Sequence, residues 1–292
     1  TFAPAAWANW MTDRPIGPGE VFGLLGPNGS GKTTMIRILL GMMRPTRGHA
    51  VVGGFDCWRQ SLDVRRMVSF LPGELRMYGA MRGIDLLEFL CGLRGAGLDR
   101  AVAIAERIMK LDLRRRVRAY STGMKQKLAL SQAFADPVDI LILDEPTSAL
   151  DPSARNDVLE LVRLARSEGQ TVIFSGHVLP EVEKISDRVA IMRKGRLMHI
   201  EDMHARRAIR MILIRSNTGS EFQIPGHLRL SLKERNGDTF LFEHLGELPD
   251  LLGWLPSAPI ADIAIGTEDL HSLYEKFHGP DVIDDEAEGE GA

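Results

Sequence analysis

The sequence predicts an α/β fold, a larger domain with a mostly parallel core sheet followed by a smaller α/β unit. Three observations carry this reading. Short apolar runs suited to buried strands alternate with helical patterns as far as about residue 192. A glycine-rich turn joins the first of those strands to an apolar helix. Beyond about residue 203 the pattern changes to strand-like runs with short helices between them. At 292 residues the chain has room for one large domain or two ordinary ones.

The elements follow in order. Residues 20–25 read as a buried strand and 32–42 as an apolar helix. Residues 48–72 hold short strand candidates, the last over 67–71. Residues 84–118 are mostly helical by spacing, with Ile84, Leu87, Phe89 and Leu90 and then Ile104, Ile108 and Leu111 recurring at helical intervals. Residues 138–143 predict a second buried strand, 158–165 an amphipathic helix, and 171–175 a third strand. A short helix over 178–185 and a strand over 188–192 complete the domain. The predicted boundaries are 1–203 for this domain, with its helical subdomain at about 75–136, then 204–280 for the small unit. Within the latter, strands are expected over 209–214, 228–232, 239–242 and 260–265, and helices over 247–255 and 267–277. Leu270, Leu273, Tyr274 and Phe277 share one face of that last helix. Residues 281–292 are acidic and read as a disordered tail.

Composition narrows the function class. Hydrophobic residues are 44% and charged residues 26%, the balance of a soluble globular chain with enough material for a sizeable core. No apolar run approaches the roughly 18 residues a membrane span needs. The net charge of −3 gives no reason to expect broad electrostatic binding to nucleic acid or anionic lipid. Cys57 and Cys91 are too few for a disulfide framework, lack metal-ligand spacing, and read as two buried reduced thiols. The chain begins at Thr1 without a basic lead, a poor signal peptide, which suggests a fragment or a processed start.

Chemistry concentrates first in one loop. Gly26, Pro27, Asn28, Gly29, Ser30, Gly31, Lys32 and Thr33 fit G-x-x-x-x-G-K-[ST], between a strand and a helix that Thr34 continues. A triphosphate needs many converging donors, and backbone N–H groups supply them where glycines let the chain curl closely. The following helix offers free N–H groups and its positive end. Lys32 has the reach for the β and γ phosphates, and the Thr33 hydroxyl suits Mg²⁺. By itself this loop says only nucleoside triphosphate.

Further along, an apolar strand ends in Asp144 and Glu145. Asp144 is placed to hold Mg²⁺ and Glu145 to orient or deprotonate an attacking water. Twenty-three residues before Asp144, Ser121 is a good N-cap at the start of a helix and Gly123 allows close backbone approach, making a second helix N-terminus that suits an anion.

With Tyr120-Ser-Thr-Gly-Met-Lys-Gln126 upstream of Asp144-Glu145, Pro146-Thr-Ser-Ala-Leu-Asp151 after it, and Ser175-Gly-His177 after the next strand, residues 17–200 resemble the ATP-binding cassette (ABC) ATPases. The four motifs occur in that family's order. The resemblance implies a P-loop ABC-type nucleotide-binding domain with a helical subdomain, using ATP and Mg²⁺. In it, ATP on the phosphate loop of one copy is covered by Ser121 and Gly123 of another, Asp151 belongs to the D-loop, His177 contacts the γ-phosphate and Glu145 promotes hydrolysis. One chain carries one loop and one signature, so a dimer is expected, a homodimer by default.

Three places depart from the pattern: the Q-loop, the N-terminal strands, which read as atypical or truncated, and the signature, with Tyr120, Thr122 and Met124 where Leu, Gly and Gln are usual. The Q-loop position holds Gly73 where the family has glutamine, with Glu74 next as a candidate Mg²⁺ ligand. Phe2, Trp7 and Trp10 are the aromatics available for stacking on adenine. The signature's Tyr-Ser-x-Gly-Met-x-Gln form and the C-terminal unit are similar to those of ABC-2 type exporters. That similarity implies an ATPase at the cytoplasmic face of the cell membrane, partnered by an integral membrane permease and not by nucleic acid. Two other readings compete, a soluble ABC ATPase acting on ribosomes or DNA and a degenerate non-hydrolysing regulator. A single cassette, no heptad insertion and retention of Lys32, Asp144, Glu145 and His177 favour the transporter. The transported substrate is not encoded here.

Overall fold

The computed structural model describes residues 15–95, 97–136, 138–217 and 222–267. The chain divides between Glu201 and Asp202 into two compact units.

The first unit starts with β1 (Val21–Leu25), whose five residues are all buried. A continuous apolar run is what a central strand covered on both faces requires. The phosphate loop follows, then α1 (Lys32–Leu39), a small hairpin of β2 (Val51–Val52) and β3 (Phe55–Asp56), α2 (Ser61–Arg66) and β4 (Val68–Leu71). The helical part comprises α3 (Gly83–Arg94), α4 (Leu98–Ala103) with a wider π-type turn over Ile104–Ile108, and α5 (Thr122–Ala133). After these come β5 (Ile140–Asp144), α6 (Pro152–Ser167), β6 (Thr171–Gly176), α7 (Leu179–Ile185), β7 (Arg188–Arg193) and β8 (Arg196–Asp202).

Six strands form one sheet in the order β4-β5-β6-β1-β7-β8, parallel from β4 through β7. Phe22, Leu24, Leu25, Ile36 and Phe174 are almost wholly inaccessible. Each such side chain contributes on the order of 1.5–3 kcal/mol on burial. The helical part has its own core around Leu86, Leu87, Leu113, Tyr120 and Leu128. Cys57 and Cys91 are both buried and free, and burial pushes the Cys57 thiol pKa up to about 11.

The sheet's register places the site. Leu25 lies beside Gly176, and Asp144 beside Ser175. The C-terminal ends of β1, β5 and β6 therefore emerge side by side, where ligands bind in parallel sheets.

The second unit contains α8 (Met203–Ala208), β9 (Arg210–Ser216), β10 (Leu230–Asn236), β11 (Thr239–His244), α9 (Leu248–Trp254) and β12 (Ile260–Thr267). Its strands form an antiparallel sheet in the order β10-β11-β9-β12. Ile212, Ile214, Phe240 and Phe242 alternate onto the face that holds Leu251 and Trp254 of α9.

Several elements differ from expectation. The helix predicted over 32–42 stops at Leu39, because Gly41 turns the chain at φ 63°. The helical stretch over 84–118 is broken into three pieces. α2, β8 and α8 were not foreseen, since residues 48–72 read as strand candidates only, and the strand predicted from 228 starts at Leu230 because Arg229 sits at φ 47°. The helix predicted over 267–277, the tail over 281–292, and Phe2, Trp7 and Trp10 lie outside the described residues, except that Thr267 closes β12. No described helix is long and apolar enough to cross a membrane.

Candidate active site

The loop between β1 and α1 is shaped by its glycines. Gly31 is the N-cap of α1 at φ 104°, a conformation that L side chains avoid. A Cβ on Gly26 would lie 2.5 Å from the Met192 carbonyl oxygen and 2.6 Å from Ser30 Oγ. Pro27, Asn28 and Gly29 form the exposed rim, and the Ser30 N–H closes the turn onto the Pro27 carbonyl at 3.1 Å. No side chain caps α1 and no acidic residue sits in its first turn, so its N–H groups and positive end remain available to an anion. Ser30 Oγ is buried and has no hydrogen-bond partner among the described residues. These features fit a phosphate chain lying in the curl of the loop.

Lys32 is only 4% exposed. Its ammonium donates to the carbonyl oxygens of Gly26 at 2.7 Å and Pro27 at 3.2 Å, and lies 3.4 Å from Glu145 Oε1. Thr34 lies one residue further into α1, half-buried, beyond the hydroxyl that matters most. That hydroxyl is Thr33 Oγ1, which donates to Asp144 Oδ2 at 2.8 Å. A hydroxyl and a carboxylate converging at the phosphate loop are hard oxygen donors. They suit Mg²⁺, which takes one or two protein ligands and fills the rest with phosphates and water.

Asp144 is buried at the end of β5, and its other oxygen accepts the Ser175 hydroxyl at 2.6 Å. The same Ser175 Oγ accepts the backbone N–H of Glu145 at 3.0 Å. Glu145 occupies the left-handed region at φ 49°, which costs a non-glycine residue roughly 1–2 kcal/mol. Ser175 thus uses its one proton on Asp144 and a lone pair on Glu145. Nothing in the spacing of the sequence pointed to that role; only the register between β5 and β6 discloses it. The second Glu145 oxygen lies 3.8 Å from His177 Nδ1. Glu145 therefore stands between Lys32 and His177, partly open to solvent.

Ser121, Gly123 and Asp151 form a separate group. Ser121 caps α5 by accepting the Met124 N–H at 3.2 Å. A Cβ on Gly123 would lie 2.7 Å from the Ala149 carbonyl oxygen, so only glycine lets α5 approach the 146–151 loop this closely. Gln126 fastens the same loop, donating from Nε2 to the Pro146 carbonyl at 3.0 Å. Asp151 caps α6, accepting the N–H groups of Ser153 and Ala154 at 3.1 Å, with Pro152 at the first helical position. Those backbone N–H groups, Ala154's foremost, hold the Asp151 carboxyl below its ordinary pKa. No hydrogen bond or ion pair among the described residues joins Ser121, Gly123 or Asp151 to Lys32, Asp144 or Glu145, although the 146–151 loop itself is tied to Glu145 by the Ser148 N–H, which donates to the Glu145 carbonyl at 3.3 Å.

Gly73 faces Asp144. A Cβ there would lie 3.4 Å from the Asp144 carbonyl and carboxylate oxygens, ordinary contact distances. Glu74 is exposed and pairs with Arg76 at 3.4 Å.

Comparisons with known proteins agree with this geometry. The ABC transporter family matches residues 13–148. The chain is 34% identical over 190 residues to the ABC transporter ATP-binding protein NatA of Bacillus subtilis (strain 168), covering 63% of this chain and 77% of that one. It is 35% identical over 191 residues to the ATP-binding protein YhcH of the same organism, and over 191 residues to the daunorubicin resistance ATP-binding protein DrrA3 of Streptomyces coeruleorubidus. These matches cover 64% of this chain and 63% and 60% of the two relatives, so the chain spans less than two thirds of their length. Among solved structures, an ATP-binding subunit of an ABC transporter matches with a TM-score of 0.57 at 26% identity over 63% of this chain and 79% of that one. A dimeric ATP-binding cassette in a post-hydrolysis state shares the fold, with a TM-score of 0.59 at 22% identity over 64% of this chain and 87% of that one. A mixed α/β P-loop fold, the phosphate loop with its two carboxylates, and these relatives lead to one conclusion: the chain belongs to the ATP-binding proteins of ABC transporters.

Proposed function

We propose that this chain binds and hydrolyses ATP and thereby energises an ABC-type membrane exporter through ATP-driven closure of a dimer. The observation that carries the reading is the convergence of Lys32, Thr33, Asp144, Glu145 and His177 at the ends of three adjacent parallel strands.

Each residue then has a part. Backbone N–H groups of residues 29–34 and the Lys32 ammonium bind the β and γ phosphates. Thr33 Oγ1 and Asp144 would hold Mg²⁺, with Glu74 as a further candidate oxygen beside the glycine at the Q-loop position; a divalent ion held there would supply positive charge against that developing on the phosphate oxygens. Glu145 takes a proton from the attacking water, and His177 contacts the γ-phosphate and steadies the Glu145 carboxylate.

The second group, Ser121 and Gly123 with Asp151 nearby, is fastened within its own helix starts and the 146–151 loop. A separate, rigid anion-receiving group is what a composite site needs, with one copy supplying the phosphate loop and another the cover. Relatives named for daunorubicin and linearmycin resistance support outward transport. The reading places the chain at the cytoplasmic face of a membrane, against a permease.

The test is to express tagged Glu145→Gln protein in its native host, solubilise the membranes in detergent with ATP present, and identify what co-purifies. A polytopic membrane protein in stoichiometric amount is expected. Recovery only from the soluble fraction, with ribosomes, DNA or nothing, contradicts the transporter reading.

A further inference from the structure

Away from the nucleotide site, Arg44, Arg47 and Arg59 line an open concavity of about 850 Å³ together with His49 and Trp58. None of these three guanidinium groups has a hydrogen-bond or ion-pair partner among the described residues. Arg37, Arg107, Arg118 and Arg229 are likewise without a side-chain partner among the described residues, so what sets the three apart is that they line one concavity. Other arginines of the chain do meet carboxylates, as in Arg155–Glu181 at 3.3 Å, Arg166–Asp187 at 2.8 Å and Arg188–Glu20 at 3.2 Å.

Only one carboxylate lies on the wall, and it is already committed. Asp56 Oδ1 accepts the backbone N–H groups of Trp58 at 3.0 Å and Arg59 at 2.7 Å. Those bonds, Arg59's first, and after them the nearby charges of Arg59 and His49, hold the Asp56 carboxyl below its ordinary pKa, so the wall carries one anion among its cationic groups. The turn in effect fixes where Trp58 and Arg59 leave the backbone.

The guanidinium fork matches phosphate oxygens in pairs and is less strongly hydrated than an ammonium. Trp58 stands 46% exposed at the same concavity, and Met42, Val51 and Leu62 nearby in the chain are each more than half exposed. Arginines interleaved with exposed apolar side chains and a tryptophan suit a layer that is charged on one side and apolar on the other.

We propose that this concavity is a second anion site, which takes a phosphate-bearing ligand of the kind found on a phospholipid headgroup or a soluble phosphate ester. It uses no residue of the 26–34 loop and does not depend on the reading of the chain as a transporter subunit.

The test uses the full chain carrying Lys32→Ala, which silences the nucleotide loop. Its binding to phosphatidylglycerol vesicles, to pure phosphatidylcholine vesicles and to millimolar glycerol phosphate is compared with that of the same protein carrying Arg44→Gln, Arg47→Gln and Arg59→Gln as well. Binding to the anionic vesicles alone is expected, weakened by salt and lost by roughly a hundredfold in the triple variant, at about fivefold per arginine. Equal loss of glycerol phosphate binding in the triple variant identifies a soluble ester as the ligand. Absence of binding to either anion, or binding that the triple variant retains, overturns the proposal. The triple variant with Lys32 intact hydrolyses ATP at the unaltered rate, which separates loss of the site from loss of the fold.

Discussion

At the scale of single residues, the candidate site depends on a serine hydroxyl. Ser175 aims Asp144 at Thr33 and holds the strained backbone of Glu145, using both its donor and its acceptor. Replacing Ser175 by alanine leaves a buried carboxylate oxygen and a backbone N–H each one partner short, a cost of about 1–3 kcal/mol per group. In steady-state hydrolysis, Ser175→Ala should lower kcat tenfold or more while the KM for ATP stays within about twofold, because the loop and Lys32 are intact. A raised KM with unchanged kcat contradicts that assignment. This residue also shows where the sequence stops being informative. The phosphate loop reads from local spacing alone, as do Asp144 and Glu145 at the end of an apolar strand. Ser175 meets Asp144 only through strand pairing across 31 residues of chain, and no spacing rule reports it.

At the scale of elements, two helix starts have a capping role that the structure shows and a proposed second role in a dimer. Ser121 caps α5 and Asp151 caps α6, each also standing where the family's dimer contacts are expected. Capping and dimer contact can be told apart at Ser121. Aspartate is as good an N-cap as serine, so Ser121→Asp should keep thermal stability within about 1 kcal/mol of the parent. The added carboxylate would repel a γ-phosphate, and nucleotide-driven dimerisation by light scattering should disappear. Dimerisation that survives Ser121→Asp removes Ser121 from the cover. The strands of the parallel sheet were legible because their apolar runs are unbroken, whereas α2 was not, since only Val64 of its six residues is buried. β8 was not, since among its seven residues only Ile200 is buried, so it carries little hydrophobic pattern. The π-type turn over 104–108 was not either, because its apolar spacing is close to that of an ordinary helix.

At the scale of the whole molecule, the chain joins two units of different construction, one parallel and wound by helices, the other an antiparallel sheet. The second has a pH dependence of its own. His244 is fully buried, and neither ring nitrogen has a hydrogen-bond partner among the described residues. Burial, and after it the Arg210 charge, hold its pKa below the ordinary 6.5. The unfolded chain therefore takes up this proton first as pH falls. The contribution is fully present above pH 6.5 and is lost below it, with a slope approaching about 1.4 kcal/mol per pH unit. Hydrogen-exchange protection across residues 210–267, corrected for intrinsic rates, should fall from pH 7.5 to pH 5.5 and be flatter in His244→Met. An equal slope in the variant assigns the effect elsewhere.

The central claim is that one chain holds half of two composite ATP sites. Light scattering of Glu145→Gln protein with and without MgATP tests it most directly, since this variant keeps the site's shape and removes the carboxylate proposed to take the water's proton. The account predicts a particle near the 32.4 kDa of one chain without nucleotide and a doubling of mass with MgATP, abolished by Lys32→Ala. A particle of one chain's mass under both conditions, with ATP shown to be bound, contradicts it.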